Sequence, residues 1–258
     1  MAKKLNPLVV WGLLRELGTG AGDRRPLVVS GALADQLGKE LERGSEPGAV
    51  RVGGSAQDAA VLVRVLAGAP GEEDERELRA AKRAKVPAIA VQTGREDVDV
   101  PYVLATDVVR CEPGRGFPVE AILEAVAARL GEEGTALAAR MPALREPLCR
   151  NLIESFSRKN GIAAVAIFVP GADFPVLTLN QLRLVLRLAA AHGVEVDQQR
   201  APEVLATIGA ALGFRAVARQ LAGAIPVAGW LVKGGVAYAG TRAVGEAALR
   251  YFETTAAA

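Results

Sequence analysis

The chain has 258 residues, half of them apolar and only 4% aromatic, with a formal net charge of +2. That length supports two modest domains, each with its own core, and the scarcity of aromatic rings excludes a base-stacking platform for nucleic acid. The charge divides unevenly: residues 136–258 carry 13 Lys and Arg against 8 Asp and Glu, whereas 1–135 carry 18 against 21. A basic second half suits an anionic surface, although dispersed arginines also form ordinary solvated faces.

In chain order, Lys3 and Lys4 precede a short apolar run, Pro7 to Leu14. Arg15 and Glu16 interrupt it too early for a secretory signal, so residues 1–23 read as an amphipathic helix and linker. From 24 to 133, short apolar runs alternate with helical patterns. Leu27 to Val29, Ala49 to Val52, Ala59 to Leu66, Pro87 to Val91 and Tyr102 to Leu104 read as strands. Ala32 to Leu41, Glu72 to Lys85 and Pro118 to Leu130 read as helices, the last with Pro at its start and Gly131 just beyond its end. This alternation predicts a small, mostly parallel sheet flanked by helices, whose ligands would collect beyond the strand C-termini.

The first strand-to-helix turn is where a phosphate-cradling loop belongs. Aligning Gly38-Lys39 with the Gly-Lys of such a loop places Leu33 where its first glycine belongs. Glu40 then stands where a magnesium-binding Ser or Thr belongs. A side chain fills the turn and a carboxylate repels phosphate, so Gly38-Lys39 is expected inside a helix. Gln92-Thr93-Gly94-Arg95-Glu96-Asp97 stands where a guanine-gripping Asn-Lys-x-Asp would, without its lysine; Val52-Gly53-Gly54-Ser55 replaces an Asp-x-x-Gly. The order of elements over 24–131 resembles a Ras-like or Era-like GTPase core with every gripping motif degenerate, which implies a pseudo-GTPase or a plain α/β module. Two Gly-rich stretches, Gly53-Gly54-Ser55 and Pro113 to Gly116, remain candidate phosphate loops for a nucleotide-dependent switch, and Thr106 to Val109 reads as part of the loop entering the helix at Pro118. Glu72, Glu73, Asp74 and Glu75 open a helix, where carboxylates cap exposed N–H groups.

Around Gly131 to Gly134 the pattern turns helical, placing a domain boundary there and an all-α helical hairpin domain over 134–258. Pro142 and Pro147 punctuate a connecting stretch, and Leu148 to Lys159 continues as an amphipathic helix. Between Gly161 and Leu182 the only charge is Asp173, but Pro170-Gly171 and Pro175 break the segment into two helices with Asp173 as a cap. Val176 to His192 is apolar around most of its girth, with a polar stripe of Asn180, Arg183 and Arg187. It must be buried in a bundle, an oligomer or lipid. A helix from Pro202 to about Ala224, carrying Arg215 and Arg219, and one from about Trp230 to Phe252 follow. Their glycines, Gly209, Gly213, Gly235, Gly240 and Gly245, offer flat faces for close packing within the hairpin. His192 precedes Gly193 and reads as a helix C-cap. Cys111 and Cys149 lack the spacing of a zinc site or a disulfide framework.

Residues 161–252 resemble the bacterial domain of unknown function 697. The resemblance rests on Pro170 to Pro175, Thr178-Leu179-Asn180-Gln181, Ala190-Ala191-His192-Gly193, Ile225 to Gly229, and Gly240 to Ala248. It implies a helical domain that is membrane-associated or GTPase-associated, and it supplies no catalytic residue. The expectation is a non-enzymatic protein, with no cofactor and no metal, at the cytoplasmic face of an inner membrane or in the cytoplasm. Its partners would be the membrane surface or inner membrane and further copies of itself, with no nucleic acid. A homo-oligomeric scaffold is the alternative.

Overall fold

The computed structural model describes residues 22–94, 98–112, 114–166, 174–194 and 230–256. The expectations for the N-terminal helix, Arg95 to Asp97, Pro113, the Pro170 to Asp173 turn, the helix after Pro202 with Gly209 and Gly213, and the Ile225 to Gly229 bend lie outside these residues. The chain divides into two compact units, one of which spans 22–148.

Five strands, β1 (Leu27–Gly31), β2 (Val50–Val52), β3 (Val61–Leu66), β4 (Ala88–Gln92) and β5 (Val108–Arg110), form one parallel sheet in the order β2-β1-β3-β4-β5. The helices of this unit are α1 (Ala34–Glu42), α2 (Glu72–Arg83), α3 (Val119–Leu130) and α4 (Thr135–Arg140). Period-2 alternation assigns the faces. Val28, Leu62, Leu66 and Ala90 pack with Leu78 and Ala81 of α2. Leu27, Val29, Val63, Ile89 and Val91 are buried on the opposite side, where α1 and α3 supply Leu37, Leu41, Ile122 and Val126. All six residues of β3 are buried, as expected for a central strand covered on both faces. Between β2 and β3 the connection holds only a 3-10 turn, Ala56–Asp58, and Ala56 and Ala59 lie in the α2-side cluster.

Tyr102 to Leu104 is not a strand: Tyr102 has φ +68°, the Leu104 carbonyl accepts from the Asp107 amide in a 3-10 turn, and the last strand is Val108–Arg110. The Tyr102 ring is held instead beneath Arg79 and Lys82, and its hydroxyl accepts from Arg79 Nε at 2.9 Å. The two compact units divide between Leu148 and Cys149. Arg140 ties α4 to the rest of the sheet unit, its guanidinium donating to the Arg25 carbonyl at 2.8 Å and its carbonyl accepting from the Glu46 amide at 2.8 Å. Gly134 packs against α3, where a Cβ on it would stand 3.0 Å from Leu130 Cβ.

Helix α5 (Pro142–Ala166) runs across this division with Pro147 inside it. Pro147 stands only five residues after the helix start, so it removes one ladder hydrogen bond without ending the helix. In the second unit α5 meets α6 (Phe174–Ala191) and α7 (Trp230–Ala256). A Cβ on Gly234 would meet Val165 Cγ2 at 2.7 Å, and one on Gly245 would meet Ile153 Cγ1 at 2.7 Å. These glycines let α7 lie close against α5, whereas Gly235 faces open space. Helix α6 ends as expected: Gly193 has φ +72°, and the amides of Gly193 and Val194 donate to the carbonyls of Ala190 and Ala189.

Candidate functional site

In a doubly wound sheet the ligand-facing loops leave the strand C-termini, at the point where neighbouring strands send their connections to opposite faces. Here that point lies between β1 and β3. The turn after β1 is Ser30-Gly31-Ala32-Leu33. Gly31 has φ +91°, and a Cβ there would stand 2.2 Å from the Val65 carbonyl oxygen, which also accepts from the Ala32 amide at 2.9 Å. The glycine thus serves close approach to β3. Leu33 adopts the left-handed conformation and is 56% exposed at the start of α1, where no side chain caps the first turn. Gly38 and Lys39 lie within α1, and a Cβ on Gly38 would strike Val52 Cγ2 at 2.3 Å. This glycine seats α1 against β2, so the helical reading of Gly38-Lys39 holds.

Beside the turn stands an ionic cluster. Arg64, only 5% exposed in the middle of β3, pairs with Asp74 through Nε and Nη2, each at 2.7 Å. Its Nη1 reaches Glu77 at 2.5 Å and Ser30 Oγ at 3.1 Å, and Ser30 Oγ donates to Glu77 at 2.8 Å. Asp74 also accepts from the Gly71 amide at 2.8 Å. The capping role expected for the acidic turn is therefore real for Asp74 and is joined by a second one, neutralising a buried guanidinium. Arg64 escapes a reading of motifs because it sits inside an otherwise apolar strand.

The remaining motif positions are engaged locally. Gln92 Nε2 donates to the Val98 carbonyl and Thr93 Oγ1 to the Leu66 carbonyl, while a Cβ on Gly94 would stand 2.8 Å from the Ala67 carbonyl. Gly53 and Gly54, at φ +71° and +88°, form the turn after β2, where Arg51 donates to the Ser55 carbonyl. Gly114 to Phe117 line an open cleft of about 250 Å³ with Leu33, Gln36, Thr93, Cys111 and Glu112. Burial pushes the Cys111 thiol above its ordinary pKa, which keeps it protonated.

In the helical unit, side chains distant in sequence converge. Cys149, fully buried on α5, stands 3.9 Å from His192 Nε2, and the imidazole stacks on Phe252 at 6.0 Å between ring centroids. No local pattern hints at a histidine beside Cys149, because the two are 43 residues apart. Asn160 Nδ2 donates to Thr241 Oγ1 at 2.8 Å and to the Leu177 carbonyl at 3.3 Å, and its Oδ1 accepts from Asn180 Nδ2 at 2.8 Å. Gln181 Nε2 adds a bond to Thr241 Oγ1 at 3.3 Å. On the surface, Tyr238 donates to Glu154 at 2.6 Å and Arg158 pairs with it at 3.0 Å; the Tyr238 hydrogen bond, then Arg158, hold the carboxyl below the usual carboxylate range.

Among the described residues no group of three His, Cys, Asp or Glu is placed to hold a metal ion, and no helix is long and apolar enough to cross a membrane. Comparison with protein-family models, with curated proteins and with solved structures finds no match for the chain.

Proposed function

We propose that this chain is a non-enzymatic binding protein. An α/β module without nucleotide-gripping parts is joined to an apolar helical unit of the type named above, which attaches peripherally to the cytoplasmic face of a membrane. The observation that carries the first half is the use made of the turn after β1. Gly31 and Gly38 are explained by packing, and Ser30 beside the turn is engaged by the Arg64, Asp74 and Glu77 cluster. The strand order is that of flavodoxin-type sheets, which favours a plain α/β module over a decayed GTPase core. Support for the second half is the exposure of Ile162 (65%), Val176 and Val236 on the helical unit, together with the basic excess of residues 149–258, 11 Lys and Arg against 7 Asp and Glu.

Flotation of the full chain with anionic and with uncharged vesicles tests the membrane reading. The expected result is salt-sensitive recovery with the anionic vesicles, and absence from both refutes it. If light scattering then shows a stable oligomer, the same apolar residues serve self-association and the scaffold reading takes over. For the module, a nucleotide present at 100 times its Kd would add about 2.7 kcal/mol of stability. The expected thermal shift with GTP is none, and a saturable rise restores the nucleotide-switch reading through one of the Gly-rich loops.

A further inference from the structure

We infer that Cys149 and His192 form a low-coordinate site for a soft monovalent metal ion, copper(I), at one end of the helical unit. They bring together a thiol and an imidazole from different helices, donors that suit this ion. Their donor atoms face each other, with Cys149 Sγ 3.9 Å from His192 Nε2. With bonds of about 2.3 Å to sulfur and about 2.0 Å to nitrogen, an ion held by both atoms subtends an angle of about 130°. Tetrahedral zinc, at about 109°, would draw the same two atoms to about 3.5 Å. The wider angle belongs to a two- or three-coordinate ion. Among the described residues no third His, Cys, Asp or Glu joins the pair, so the four-ligand shell of structural zinc is not supplied there. Charge points the same way. Cys149 is 0% exposed, Leu152, Leu188 and Ala248 on the adjoining turns of the three helices are buried, and Phe252 stacks on the imidazole. A divalent ion on one thiolate would leave a net positive charge in this apolar setting, whereas a monovalent ion and the thiolate form a neutral pair. Binding involves no redox change: the Sγ–H bond breaks, its proton leaves to solvent, and bonds form from Sγ and from the Nε2 lone pair to the ion. His192 then carries its remaining proton on Nδ1. The ring is half-buried, so the site borders solvent on the imidazole side.

The test uses the full chain carrying Cys111→Ser, which leaves Cys149 as its one thiol beside the one histidine. Copper(I) is supplied without oxygen in competition with a chromophoric chelator, and zinc(II) is titrated separately. The readouts are stoichiometry, Kd and the ring nitrogen-15 resonances of His192. The expected result is one copper(I) per chain, displacement of the Nε2 resonance, and a proton retained on Nδ1. His192→Phe, which keeps a ring against Phe252, should weaken binding by at least about 100-fold, the upper end of the loss seen for a merely outer-shell partner. Cys149→Ser should abolish it. Absence of binding, displacement of Nδ1 in place of Nε2, an unchanged Kd in His192→Phe, or tighter binding of zinc(II) overturns the inference. The nitrogen resonances are read on a chain that keeps both ligands, so they decide the matter even where a ligand substitution prevents folding.

Discussion

Replacing Arg64 by Met removes the positive centre of this cluster on the central strand while keeping most of its apolar volume. The guanidinium binds Asp74 through two nitrogens and Glu77 and Ser30 through the third. Breaking a fully buried ion pair by deleting one partner costs about 3–5 kcal/mol, and an exposed pair about 0–1. The surviving carboxylates here are 21% and 32% exposed and regain part of their hydration, so the expected cost lies between, at about 2–3 kcal/mol. That is a factor of about 30–150 in the opening equilibrium, at about 1.4 kcal/mol per tenfold. Peptide-resolved hydrogen exchange on the full chain reads it directly, as loss of protection in β1, β3 and α2 without change in α6 and α7. Asp74→Asn should cost more than Glu77→Gln, because Asp74 takes two guanidinium nitrogens and also caps Gly71. Since Arg64 is buried, raising salt to about 1 M should leave the effect standing. Protection within about twofold of the unsubstituted chain in Arg64→Met, well under about 1 kcal/mol, would refute the reasoning.

Three further outcomes follow from other parts of the structure. Gly31→Ala should destabilise the α/β unit by about 3 kcal/mol or more, since its Cβ meets backbone at 2.2 Å and φ is +91°. Gly38→Ala presses only on the Val52 side chain and gains helix propensity, so urea titration should separate the two by at least about 2 kcal/mol. The depressed Glu154 carboxyl contributes stability that is present above the unfolded value of about 4.3 and is lost as pH falls through its lower folded value. In acid titrations of thermal stability, Glu154→Gln should therefore remove part of the decline below about pH 4.3, and an unchanged acid limb would contradict the assignment. Alkylation of native Cys111 should show its inflection above the ordinary thiol value of about 8.5, because burial favours the protonated form, and an inflection at or below it would contradict the described environment.

How far the sequence discloses this architecture depends on whether a segment's signal is local. The short apolar runs of β1, β3 and β4, and the acid-led helix α2, announce themselves through composition and capping and fold where expected. Tyr102 to Leu104 fails because its β-prone residues are overruled by contacts with Arg79 and Lys82, about 20 residues away, which a local pattern does not encode. Residues 134–148 look like the start of a new domain because they are helical, yet Arg140 bonds to Arg25 and Glu46 of the sheet unit. The Arg64 cluster carries a readable trace, a lone arginine within a six-residue apolar strand followed by acids at 74 and 77. The Cys149 and His192 contact carries none, since only the meeting of α5 with the end of α6 creates it.

The short link between β2 and β3 has a consequence for how the molecule comes apart. Where a crossover helix would ordinarily shelter that side of the sheet, the chain spends only the 3-10 turn at Ala56–Asp58, and α2 is the sole α-helix on that face among the described residues. Release of α2 lifts Leu78 and Ala81 from Val28, Leu62, Leu66 and Ala90 and leaves that face, among the described residues, to non-helical segments carrying Ala56, Ala59, Val100 and Val103. The sheet has a weak side and a strong side. Sub-global opening should proceed through release of α2, with proteases finding the Ala67 to Gly71 segment before any loop on the side guarded by α1 and α3.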